Sequence, residues 1–143
     1  MQDSTTNKET ASGEAGAQMA SSTGKKWMGA AVSKYQPLKH YKWGSDCDGW
    51  NFVDEESLSV KQELMPAGTS EVKHFHQSAQ QFFFILKGIA TLEIEDATIQ
   101  VNEGEGLHIE PGSKHRILNE SNEDLEFILC SQPSTKNDRI NCE

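Results

Sequence analysis

An all-β domain is the fold class this sequence predicts, and three observations lead to it. From about residue 57 onward the chain breaks into short runs with apolar residues at every second position, repeating at roughly ten-residue intervals. No long stretch carries apolar residues at the 3.6-residue period of a helix. The breaks hold turn formers: Lys87-Gly88, Asp96, NEGEG at 102–106, EPGSK at 110–114 and SNED at 121–124. Together these give seven or eight short strands, the rhythm of an antiparallel sandwich or barrel.

The elements follow in order. The run SLSVKQEL at 57–64 places Leu58, Val60 and Leu64 on one face, the expected core face. Gln81 to Lys87, QFFFILK, is aromatic and β-branched on both faces and reads as a strand buried between two sheets. ATLEIE after Gly88 sets Leu92 and Ile94 together, and ATIQV sets Ile99 with Val101. GLHIE forms a short strand, extended structure resumes at His115, and LEFILC closes the series with Leu125, Phe127 and Leu129 alternating. Trp43, Trp50 and Phe52, with GSDCDG among them, predict an ordered arm or edge strand packed over the barrel.

Three regions result. Residues 1–24 contain no Val, Ile, Leu, Phe, Trp or Tyr, too little apolar surface to offset chain ordering, so residues 1–26 read as a disordered leader. Residues 27–131 are a single barrel with its N-terminal arm, and residues 132–143 are a polar tail expected to trail off.

Composition narrows the function. The net charge is −9, from 13 basic and 22 acidic residues, and the basic residues are scattered. Such a surface repels polyanions, which argues against nucleic acid and anionic membrane as partners. No apolar run approaches the ~20 residues that span a bilayer, and no secretory signal pattern is present, so a cytoplasmic location is expected. Cys47, Cys130 and Cys142 are odd in number and have no CxxC spacing, so neither a disulfide framework nor a zinc ribbon is indicated.

The chemistry concentrates in two segments. His74 and His76 are two apart and share a strand face; Gln81 has the parity to face inward with Phe83 and Ile85. His115 follows the Pro111-Gly112 turn. Three imidazoles and an oxygen donor suit one divalent transition ion (Fe, Mn, Ni, Cu or Zn) with open positions left for water or substrate. By spacing alone, an HxH pair on a strand is equally an ordinary surface or hydrogen-bonded pair.

These two segments resemble the paired motifs of the cupin superfamily. The first, G(X)5HXH(X)4E(X)6G, reads Gly68-TSEVK-His74-Phe75-His76-QSAQ-Gln81-FFFILK-Gly88, with Gln at the Glu position. The second, G(X)5PXG(X)2H(X)3N, reads Gly104-EGLHI-Glu110-Pro111-Gly112-SK-His115-RIL-Asn119, with the proline displaced by one. The resemblance implies a jelly-roll barrel of two antiparallel sheets, a central metal on His74, His76 and His115, and a homodimer. The Glu-to-Gln departure leaves the fourth ligand open between Gln81 and, with opposite parity, Gln80. Gln cannot act as a general base at neutral pH, so mechanisms resting on the family's Glu lose their key group.

No catalytic residue is assigned. His108 could line the barrel near the metal or be a plain structural histidine, and Phe75, Phe83 and Ile85 could wall an apolar pocket. Lys73, Lys87, Lys114 and Arg116 flank the motifs and could receive an anionic substrate, although side chains that alternate with inward ligands more often face solvent. Three functions follow: a dioxygenase-type or Lewis-acid enzyme on a small organic molecule, a sugar isomerase or epimerase, and a non-catalytic metal- or ligand-binding module. The isomerase reading wants a proton-abstracting residue and a basic site, neither of which is evident in the sequence.

Overall fold

A computed structural model describes residues 29–142. The expected leader, 1–26, lies outside the described residues. Among those residues no segment is helical, and none is long and apolar enough to cross a membrane as a helix.

Eleven strands run in chain order: β1 (Lys39–Trp43), β2 (Cys47–Asp54), β3 (Ser59–Met65), β4 (His74–His76), β5 (Gln80–Lys87), β6 (Ala90–Ile94), β7 (Ala97–Val101), β8 (Gly106–Ile109), β9 (His115–Leu118), β10 (Leu125–Gln132) and β11 (Arg139–Asn141). They form two sheets, one of six strands in the order β1-β2-β3-β10-β5-β8 and one of five in the order β11-β4-β9-β6-β7. Every named pairing is antiparallel, and the sheet order skips repeatedly between distant strands, as a jelly roll requires.

The core between the sheets holds Met65, Phe83, Ile85, Leu92, Ile109, Ile117, Leu125 and Phe127, all buried. Asn119, at the end of the second motif, is buried and donates through Nδ2 to the Met65 and Glu123 carbonyls at 2.9 and 2.7 Å. It satisfies backbone groups that the turn after β9 would otherwise strand.

The arm predicted at 43–52 is a hairpin, β1–β2, at the edge of the six-stranded sheet. Its turn needs left-handed backbone at Gly44 and Asp46, with φ of 54° and 66°. Trp43 packs against the core and donates from Nε1 to the Asp48 carbonyl at 3.1 Å.

Three expectations need correction. The inward face of β3 carries Ser59, Glu63 and Met65, which are buried, while Leu58 is exposed and Val60 and Leu64 are half-buried on the outer face. The apolar alternation there marks the outside of the sheet, because the inside borders a polar cavity. On β5 only Gln81, Phe83 and Ile85 are buried; Phe82, Phe84 and Leu86 lie on the outer face at 37–41% exposure. The polar tail does not trail off: β11 pairs with β4, setting Arg139 opposite His76 and Asn141 opposite His74. Backbone pairing and the Asp138 carboxylate fix it, and neither needs apolar side chains.

Candidate metal centre

Register builds the site. His115 on β9 lies directly opposite His74 on β4, and side chains facing each other across a ladder share a sheet face. His76, two residues along β4, joins them. All three are buried, and their ligand atoms lie within 4.8 Å of one another, with ring centroids 4.4–5.7 Å apart. Among the described residues no other group of His, Cys, Asp or Glu side chains is gathered this way.

Backbone carbonyls set the tautomers. His74 Nδ1 lies 2.8 Å from the Val72 carbonyl and His115 Nδ1 lies 2.8 Å from the Ser113 carbonyl, so each Nδ1 carries the proton and each Nε2 keeps its lone pair. Burial also holds the rings neutral. It brings His74 down to about 3 and His76 to about 4, with His115 repelling both, and it lowers His115 too. Neutral imidazoles are the ligand form.

The opposing sheet supplies Gln81, buried as its parity predicts. Its amide NH2 donates to Ser131 Oγ at 3.0 Å, which turns its Oε1 toward His115 Nε2 at 3.1 Å. With His115 protonated at Nδ1, that contact brings two lone pairs together. Two acceptors aimed at one point fit a cation between or beside them. His76 Nδ1 is buried and without a hydrogen-bond partner, so no hydrogen bond there fixes the tautomer and either ring nitrogen can present a lone pair. The donor set therefore fits a divalent transition ion.

Gln80 and His108 belong elsewhere. The His108 side chain is on the outer face and contacts Gln80 Oε1 at 2.8 Å, so neither lines the barrel. Phe75 alternates with the histidines and also turns away, and Ile85 lies in the core, leaving Phe83 at the site.

A cavity of about 230 Å³ adjoins the histidines, and its lining is not the apolar pocket expected. Trp43, Phe83 and Leu129 are its apolar lining, while Tyr41, Lys61, Glu63, Glu71, Thr135 and Arg139 line it with polar and charged groups. The register explains the gradient. Across the six-stranded sheet, Tyr41 (β1), Gly49 (β2), Glu63 (β3) and Phe127 (β10) stand in one row, so the inner face passes from charged to apolar as it approaches β5. Gly49 is the gap in that row. A Cβ there would sit 2.1 Å from Tyr41 Cζ, so only glycine lets the Tyr41 ring lie across β2 and hydrogen-bond Glu63 on β3.

Burial pushes the Glu63 carboxyl up, against the opposing pull of Tyr41, Lys61 and Arg139. It pushes Glu71 to about 8, although Arg139 stands 3.8 Å away and the Ile117 amide donates to Glu71 at 3.1 Å. Neither residue stood out in the sequence: an acidic residue on a strand, as Glu63 is, ordinarily faces solvent, and Glu71 lies in the loop before β4. For Glu63 the signal available was parity with Met65 against Val60 and Leu64.

The site is closed from the chain's far end. Asp138, just before β11, accepts from the backbone N–H groups of Gln77, Ser78 and Ala79 at 2.9–3.3 Å. It pins the loop between β4 and β5, so the histidine strand and the Gln81 strand keep their spacing.

Comparison with known proteins agrees with this architecture. Residues 60–131 match the cupin domain family. An uncharacterized protein of Methanocaldococcus jannaschii is 27% identical over 75 residues, which are 52% of this chain and 60% of that one, so the match spans less than two thirds of the relative. Among solved structures, KdgF from a Halomonas species superposes with a TM-score of 0.67 at 13% identity, covering 75% of this chain and 96% of that one. A Thermotoga maritima protein described as a predicted oxalate decarboxylase superposes with a TM-score of 0.66 at 16% identity, covering 73% and 100%. Sequence identities this low speak to the fold alone. With the family match covering half the chain, the motifs in place and the two-sheet jelly roll around a three-histidine cluster, this protein belongs to the cupin family.

Proposed function

We propose that this protein is a metal-dependent enzyme that acts on a small organic molecule by Lewis-acid or dioxygenase-type chemistry. His74, His76 and His115 hold the ion, and Gln81 gives a fourth, neutral contact. The observation that carries the reading is the convergence of the His115 and Gln81 lone pairs beside a cavity large enough for a ligand. All four donors are neutral, so a bound divalent ion keeps its full charge to polarise an oxygen of water or substrate. The chain's own part is to orient those donors and wall off bulk water with Phe83 and Leu129.

An isomerase-type reading gains an observation of its own. Glu63 and Glu71 bring carboxyl groups to the cavity, the proton-transfer groups that the Gln81 position lacks. Elemental analysis of protein purified without chelator tests the shared premise, with about one first-row ion per chain expected. Saturation at 100 times Kd should add about 2.7 kcal/mol to stability. Oxygen uptake during turnover of a substrate panel then separates the two chemistries. No metal and no thermal shift with Zn, Ni, Fe, Mn or Cu would refute the premise.

We further propose a homodimer, with a second copy covering the outer face of β5. Phe82, Phe84 and Leu86 there continue through Cys130 and Val60 on neighbouring strands, an apolar band on a chain of net charge −9. Light scattering at tens of micromolar should give twice the chain mass, and Phe84→Glu should halve it; a monomeric wild type would refute the proposal.

A further inference from the structure

Charge in the barrel runs against charge on the protein. The chain carries −9 overall, yet the cavity at the histidines presents Lys61 and Arg139. A second cavity of about 410 Å³ shares Tyr41, Lys61 and Thr135 with the first, and adds Lys39 and Lys136. The two adjoin at those shared residues: Lys39 and Lys136 line the outer, mouth side, Arg139 the inner side and Lys61 both, with Asp54 the one carboxylate of the outer part.

Lys61 is the informative residue. It lies on the inner face of β3, in one row with Lys39, Asn51, Leu129 and Phe83. Among the described residues its Nζ makes no hydrogen bond or ion pair within 4 Å, and it stands over the Tyr41 ring, 5.5 Å to the centroid. An ammonium at the wall of a part-buried cavity costs desolvation unless an anion meets it. Arg139 stands opposite His76 in the β4–β11 ladder, so it faces the side the histidines face. It is anchored by Nη2 to the Val72 carbonyl at 3.3 Å and by Nε to Asn141 at 2.9 Å. Its remaining amine, Nη1, lies 3.8 Å from Glu71, too long for a hydrogen bond.

The hydrogen bonds of the two carboxyls in the cavity come from other groups: Glu63 accepts from the Tyr41 hydroxyl and Glu71 from the Ile117 amide, and among the described residues neither accepts a hydrogen bond from Lys61 or Arg139. Neutral ligands on a divalent ion add further positive charge. The inner volume, about 230 Å³, is some seven or eight water molecules' worth, too small for a nucleotide.

We propose that this cavity is a receptor for a small carboxylate, with Lys61 and Arg139 as its anchors and the metal face as the seat of its second oxygen. The inference rests on the enzyme reading above and names its substrate class. The lysines at the mouth draw the anion in through an otherwise negative surface.

Calorimetric titration of zinc-loaded full-length protein with malonate, glycolate and, as neutral control, glycerol tests it. Lys61→Met and Arg139→Gln should each weaken malonate about tenfold or more, the loss of one charge-assisted hydrogen bond. Arg139→Lys should keep an intermediate affinity, and glycerol should not bind. Zinc content, measured on the same samples, should stay at that of the wild type, which separates loss of the anchor from loss of the metal. Malonate affinity unchanged in both variants, or glycerol binding as tightly as malonate, overturns the proposal while leaving the metal reading intact. If no zinc binds, the enzyme reading fails, and the same titration of metal-free protein decides on Lys61 and Arg139 alone.

Discussion

Substituting Gly49 by alanine should do far more damage than one methyl group in an edge hairpin suggests. The added Cβ would lie 2.1 Å from Tyr41 Cζ and 2.4 Å from Cε2 and the hydroxyl oxygen, where ordinary contact begins at 3.4 Å. The ring must therefore retreat by more than 1 Å. Its hydroxyl then loses the Glu63 carboxyl, a buried group that accepts no other hydrogen bond among the described residues. Leaving a buried acceptor unpaired costs about 1–3 kcal/mol, and forcing the ring aside costs a similar amount. Alanine's better strand entropy returns about 0.5–1 kcal/mol. A net loss of about 1–5 kcal/mol follows, a drop in melting temperature on the order of 10 °C for a domain this size. Denaturant unfolding of Gly49→Ala in the wild-type and Tyr41→Ala backgrounds measures the coupling. With the ring gone, Gly49→Ala should be neutral or stabilising by up to about 1 kcal/mol. An equal cost in both backgrounds, or a stabilised single variant, would refute the account.

Other outcomes follow from the same geometry. Gln81→Ala should weaken metal binding about 10–100-fold, less than any of His74→Ala, His76→Ala or His115→Ala, and Gln81→Glu should retain or strengthen it. Titration of the five variants with zinc checks this, and unchanged affinity in both Gln81 variants would leave a three-histidine site. Stability of the metal-free protein should fall as pH drops below about 6.5. There the unfolded histidines take up protons, while folded His74 and His76 resist down to about 3 and 4. Glu71 acts in the opposite sense: its folded form keeps a proton up to about pH 8, so stability drains as pH rises from 4.5 through 8. Glu71→Gln should flatten that alkaline slope in a pH series of denaturant melts, and an unaltered slope would count against the assignment. Asp138→Ala should cost about 1.5–3 kcal/mol and loosen the metal, since three backbone donors lose a charged acceptor. Wild-type stability in that variant would show that β11 holds on its own.

How much of this was legible in the sequence depended on which residues carried the pattern. Gln81, Phe83 and Ile85 share a face that a two-residue period identifies, and the motif spacing placed His74, His76 and His115 before any fold was known. The same period misled at β3. Leu58, Val60 and Leu64 are the apolar members of that run, but they face outward because the inner face meets a charged cavity through Lys61 and Glu63. Periodicity identifies two faces without naming the inner one, and burial of a carboxyl depends on Tyr41, which arrives from another strand. Arg139 was invisible for a related reason. Its place is set by pairing with a strand more than sixty residues earlier, and nothing local in a polar stretch announces that.

That distant pairing has a consequence for how the centre is made. The histidine strand β4 has β9 on one side and β11 on the other, and Asp138 ties down the loop that follows it. During synthesis at about 5–20 residues per second, residues 138–141 emerge roughly 3–13 s after His76. For that interval the nascent chain exposes its ligands without the brace that spaces them. A metal site that depends on this brace would be complete only once Asp138 has emerged, and a chain truncated before Asp138 should hold zinc more weakly than one that includes it.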